Sequence, residues 1–353
     1  MTKELSAYLN VLRILAALTV FLGHLSGRSV SGGFLWQIQP YGHSAVIVFF
    51  VLSGFVIRYS VDEKEKTLLD YSVARFARLY SVVLPALALT LVCDLIGTSH
   101  NPNVYDMARE TNAPLRLAQG VLFLTQSWQR VSLLSNEPFW SLPYEFWYYV
   151  IFATAIFLRR WPRLIAIIIA SLVGGPAILL LFPIWLMGVA SYRITKALSL
   201  TKLHAVTVWW LSALGVVATV LLHTPVVALE TMLLPPSFSV LDYLLGALLA
   251  INFVAASRID FGLTRMSDLI GYFAGMTFAL YLFHLPLLHL AAAYVAHHLP
   301  VPIKGMIEFT FVLSVVFALS FITENQKKRW QDIFRKLFGL FALARVRPAG
   351  MGG

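Results

Sequence analysis

The chain has 353 residues, 59% of them hydrophobic and only 12% charged. A soluble domain carries about 25% charged residues, so this chain lacks the polar groups needed to cover a water-facing surface. Its 25 Phe, 9 Trp and 14 Tyr exclude a disordered chain, and a single cysteine, Cys93, excludes an internal disulfide framework and any cysteine-based metal site.

The composition predicts an all-α, polytopic membrane protein. A helix needs about 20 apolar residues to cross the hydrocarbon core. On that scale about ten transmembrane segments follow in chain order: Tyr8–Ser26, His43–Ser60, Leu79–Ile96, Pro138–Leu158, Trp161–Leu179, Leu181–Ile194, Ala205–Leu222, Phe238–Ala256, Ile270–His297 and Pro302–Ile322. Gly174-Gly175-Pro176 interrupts one apolar stretch and separates the fifth span from the sixth. No cleavable signal is expected, because no A-x-A-like site follows the first apolar run. Between the third and fourth spans a connection from Gly97 to Glu137 is far longer than a simple turn needs, and its apolar part, Leu115–Trp128, fits the outer interface. Residues 1–325 form the membrane domain. Residues 326–353 form a basic tail in which Trp330, Phe334, Leu337 and Phe341 recur at helical spacing, as in a helix lying on the inner leaflet against membrane lipids.

Lys and Arg are distributed 21 to 5 between the two sets of alternate connections, with Arg13 alone inside a span. Basic residues accumulate on the cytoplasmic side, so both termini are expected there. The net charge of +10 is therefore an orientation signal, and no basic face interleaved with aromatic contacts points to nucleic acid.

An ionisable group within a span costs about 2.5–3.5 kcal/mol on insertion scales, so each one asks for a reason. Arg13 and His24 are 11 residues apart, which puts both on one face of the first span, about 16.5 Å apart along its axis. Glu145, after Trp140-Ser141-Leu142, lies at a depth close to that of His24. His284 sits in the outer part of the ninth span. His43, at the start of the second, reads as an interface residue outside the site. Arg75 and Arg78 share a helix face where the third span enters, and guanidinium forks suit phosphate oxygens. The positive-inside rule explains the same pair and, without other information, explains it better.

Together these residues resemble the acyltransferase type 3 family of integral membrane O-acyltransferases. The resemblance rests on Leu9–Arg13 with R-x10-H from Arg13 to His24, Phe49–Phe55, Arg75-Phe76-Ala77-Arg78-Leu79-Tyr80, Trp140-Ser141-Leu142 with Glu145 and Tyr148, and Thr277–Pro286. It implies transfer of an acyl group, usually acetyl, from cytoplasmic acyl-CoA to a hydroxyl of an extracytoplasmic acceptor, mainly a cell-envelope or exported polysaccharide. It also implies a multi-pass protein of the cell inner membrane, working alongside glycan assembly or export proteins. Acyl-CoA is then a co-substrate, and no bound cofactor or metal is expected. In the expected mechanism, Arg75 and Arg78, with Arg58, hold the CoA phosphates, and the pantetheine arm runs past Arg13. His24 acts as general base and is oriented by Glu145. Ser53, Tyr281 or His284 donates to the oxyanion or touches the acceptor. The rival is a transporter or flippase that uses the same buried polar groups for passage, for which the break at Gly174-Gly175-Pro176 speaks.

Overall fold

A computed structural model describes residues 1–108, 112–230, 239–295 and 298–344. Twelve α-helices occur among them: α1 (Lys3–Leu25), α2 (Gly42–Glu63), α3 (Leu68–His100), α4 (Ala113–Val121), α5 (Ser141–Phe157), α6 (Arg160–Gly174), α7 (Pro176–Ala197), α8 (Lys202–Glu230), α9 (Val240–Ala256), α10 (Ser267–Tyr294), α11 (Val301–Asn325) and α12 (Lys327–Ala344). Seven helical stretches are long and apolar enough to cross a membrane, within α1, α2, α3, α7, α8, α10 and α11. This is the make-up of a multi-pass membrane protein. The other three expected spans are helical but short: α5, α6 and α9 have 17, 15 and 17 residues, about 23–26 Å of helix.

Local signals set the boundaries. Thr2 caps α1 by accepting from the Leu5 amide at 3.2 Å, and Thr67 caps α3 by accepting from Asp70 at 3.1 Å. The Thr67 cap starts α3 eleven residues before the expected apolar span, so Arg75 and Arg78 ride on a continuous helix and not on a loop. Gly175, at φ +87°, makes the break between α6 and α7 that Gly174-Gly175-Pro176 announces.

Lipid supplies little hydrophobic drive between helices, so close backbone approach and buried polar contacts must hold the bundle together. Where α2 crosses α7, a Cβ on Gly54 would run into the Trp185 carbonyl, and one on Gly188 would run into the Val51 carbonyl. Helix α10 packs against α1, α3 and α11 and is buried along most of its length. Leu211, Leu214 and Leu221 on α8, with Phe317 and Phe321 on α11, are exposed, as lipid-facing side chains would be.

The long connection between α3 and α5 is folded down onto the bundle. Asp94 of α3 accepts from the Ser135 amide at 3.1 Å and from its hydroxyl. Asn136 donates to the Leu282 carbonyl of α10 and to Thr90, both at 3.0 Å. These bonds fix the 3-10 turn Glu137–Trp140 that leads into α5. At the other end of the chain, α12 lays Phe334, Trp330 and Phe338 on Val73, Phe76, Ala77 and Tyr80 of α3. The expected interfacial helix thus has a protein partner, and Leu337 faces outward. The side chain of Phe341 and residues 345–353 lie outside the described residues.

Candidate active site

Two cavities carry the expected polar residues. The first lies among α1, α2, α3, α5 and α10 and is lined by Arg13, Ser53, Arg75, Arg78, Glu145 and Tyr281. Six of the nine candidates therefore share one space. Arg75 is ion-paired with buried Glu65 and lies over the Tyr71 and Tyr149 rings at 5.6 and 5.8 Å. Arg78 lies 5.9 Å over Phe278. Neither Arg13 nor Arg78 makes an ion pair among the described residues. With Glu145 the sole carboxylate in the lining, the cavity is cationic and suited to an anion.

Arg58 departs from expectation. It is paired to Asp62 at 2.6 Å and does not line this cavity. Asp62 lies one helical turn further along α2, in reach of the guanidinium.

Glu145, in the first turns of α5, accepts from Ser53 at 2.8 Å and from Tyr149. Ser53 also receives the Trp185 indole N–H at 3.1 Å, so its own proton is committed to Glu145. That leaves Ser53 poorly placed to donate to an oxyanion. Tyr149 escaped the sequence reading, although its spacing of four residues from Glu145 was a usable signal.

The second cavity is lined by His24, His43, Glu137, Trp140, Tyr281 and His289 among others. His24 belongs here and does not meet Glu145. Its Nδ1 lies 3.0 Å from Nε2 of His284 and 3.1 Å from the Val20 carbonyl. Nδ1 of His284 lies 2.8 Å from the Leu280 carbonyl. A carbonyl can only accept, so the network assigns the His284 proton to Nδ1 and leaves its Nε2 a lone pair. His24 then carries its proton on Nδ1. Its Nε2, without a partner among the described residues, is free to accept a proton. The place beside His24 expected of Glu145 is taken by an imidazole 260 residues away in the sequence.

Glu137, which the sequence reading passed over, is the carboxylate in electrostatic reach of His24. His43 is also more than an interface residue. It lines the cavity, stacks on Trp140 and bonds to Asp242. Tyr281 and Val46 line both cavities, and the Tyr281 hydroxyl lies 2.7 Å from that of Ser141. The wall between the cationic cavity and the imidazole cavity is therefore thin and partly polar.

The sequence pattern of an acyltransferase domain, Acyl_transf_3, matches residues 6–325. Acyltransferase MdmB of Streptomyces mycarofaciens is 32% identical over 155 residues, covering 41% of this chain and 37% of that protein. The O-acetyl transferase of Shigella phage Sf6 is 27% identical over 192 residues, covering 49% of this chain and 56% of that protein. The chain thus spans between about a third and just over half of the length of these curated relatives. No solved structure matches it. With almost its entire length inside the matched domain, the chain belongs to the acyltransferase 3 family.

Proposed function

We propose that the protein is a membrane O-acyltransferase. It moves an acyl group, acetyl in the first instance, from cytoplasmic acyl-CoA to a hydroxyl of an extracytoplasmic acceptor, a cell-envelope or exported polysaccharide. The observation that carries this reading is the meeting of the two cavities at Tyr281, one rich in arginine and the other presenting an unpartnered imidazole nitrogen. Acetyl transfer to oxygen is favoured by the name of the phage relative.

In this mechanism Arg78 and Arg13 hold the CoA phosphates, Arg75 lends positive charge from its pair with Glu65, and the thioester lies near Tyr281. His24 Nε2 takes the proton of the acceptor hydroxyl as its oxygen attacks the thioester carbonyl. The Tyr281 hydroxyl donates to the resulting oxyanion. The intermediate then expels the CoA thiolate, which receives the proton back from His24. The ester and free CoA form with no net proton gained or lost. His284 keeps His24 in the working tautomer, and Glu145 holds Ser53 and Tyr149 in the wall of the donor cavity.

Purified protein supplied with labelled acetyl-CoA and a polysaccharide acceptor should form an O-acetyl ester, detected by mass spectrometry. His24→Ala should lower that rate by about 10²–10⁴-fold in a folded protein. Near-normal turnover in that variant would reject the assignment. Solute flux in proteoliposomes without any acyl transfer would favour a transporter.

A further inference from the structure

Outside the proposed chemistry, three side chains of ligand type converge from three helices. His43 of α2, His223 of α8 and Asp242 of α9 place their ligand atoms within 4.8 Å of one another. His43 Nε2 lies 3.1 Å from both Asp242 oxygens, and His223 Nε2 lies 3.0 Å from Oδ1. The Asp242 carboxylate is wholly buried and has no Lys or Arg partner among the described residues. A buried carboxylate costs several kcal/mol unless a cation and hydrogen bonds compensate it. The Ser239 amide, at 3.1 Å, serves Oδ2. Oδ1 faces two imidazole nitrogens, an arrangement that serves a two-donor hydrogen-bond acceptor and equally a corner of a coordination shell.

We propose that Asp242, His43 and His223 form a site for one divalent transition-metal ion of the zinc type, opening towards the cavity that holds His24. Two imidazoles and one carboxylate are a donor set that zinc takes at 2.0–2.2 Å, roughly, with a fourth position left for water or substrate. Bonds of that length make a tetrahedral edge of about 3.3–3.5 Å, slightly longer than the 3.0–3.1 Å between each imidazole nitrogen and Asp242, with all ligand atoms within 4.8 Å. His223 and Asp242 are buried, whereas the His43 side chain is 35% exposed and lines the cavity. The open position accordingly points to where an acceptor oxygen would enter. The ion also ties α2, α8 and α9 together at one end. The site stands whether or not the acyltransferase mechanism above is right.

The test uses full-length protein in detergent, stripped with a chelator and titrated with Co²⁺, then with Zn²⁺ in competition. Wild type should bind one ion per chain, show the visible bands of a four-coordinate cobalt, and lose them to zinc. His43→Gln, Asp242→Asn and His223→Gln should each weaken binding by about 10–100-fold or more. His43→Gln changes a residue on the cavity wall and decides the matter alone if the buried substitutions prevent folding. Failure of wild type to bind either ion stoichiometrically, or unchanged binding in His43→Gln, would overturn the site and leave a hydrogen-bonded staple. Because metal content and cobalt spectra are the readouts, the result does not depend on acyl transfer.

Discussion

The difference between the expected and the observed partner of His24 changes what single substitutions should do. If His284 Nε2 accepts the His24 Nδ1 proton, then His284→Phe fills the space but removes the acceptor, leaving only the Val20 carbonyl at 3.1 Å. Transfer should fall by about 10²-fold or more, with little change in the KM for acyl-CoA. Residues that act as a unit are not additive, so the double variant with His24→Ala should be no worse than His24→Ala alone. Glu145→Gln keeps an oxygen for Ser53 and should spare the base, acting instead on the donor cavity. A loss of about 10²-fold in Glu145→Gln that adds nothing to His24→Ala would restore the carboxylate as the orienting group. Arg78→Ala, which removes a guanidinium with no ion pair among the described residues, should raise the KM for acyl-CoA by about 10-fold or more. Arg58→Ala, already satisfied by Asp62, should change it much less. At this scale the sequence singled out the polar residues but not their partners: Glu145, expected level with His24, lines the arginine cavity instead. The 11-residue spacing of Arg13 and His24 put both on one face because that is a property of a single helix. Which neighbour met that face depended on the rotation of α10, and no local periodicity encodes it.

Helices that pack without a strong hydrophobic drive depend on shape, and the crossing of α2 and α7 is the tightest case here. Gly188→Ala would push a methyl group into the Val51 carbonyl at a point where both helices are buried. Overpacking of that kind costs about 1–3 kcal/mol, and the change should appear as a lower melting temperature in detergent. Gly271→Ala, where a Cβ meets nothing within 4 Å, is the control and should melt like wild type. The element boundaries were legible where capping and breaking residues mark them, as at Gly175. The α3 start was missed for a physical reason: hydropathy detects the membrane-buried length, whereas the Thr67 cap and helix propensity carry the helix beyond it. The α12 tail shows the same limit. Its apolar stripe was plain in the sequence, but a stripe does not say whether lipid or protein covers it. Here Val73 and Ala77 of α3 cover Phe334.

At the scale of the whole molecule, the proposed chemistry requires the arginine-lined cavity to open towards the compartment that holds CoA. The two cavities share Tyr281 in their linings, and the proposed reaction has a direction only if the bundle has one orientation. On the ten-span reading, the 21-to-5 division of Lys and Arg would supply that orientation by favouring retention of the basic connections in the cytoplasm. Site-directed labelling can test it cleanly, because the only native cysteine, Cys93, is buried. Arg130→Cys, on the long connection before α5, and Lys202→Cys, at the start of α8, both replace exposed residues. A membrane-impermeant maleimide should label Arg130→Cys in intact cells and Lys202→Cys only after permeabilisation. The opposite pattern would turn the cationic cavity away from cytoplasmic acyl-CoA. In that case Arg13, Arg75 and Arg78 would need another anion to explain them, and a donor from the cytoplasm would have to be abandoned even if His24 proved essential.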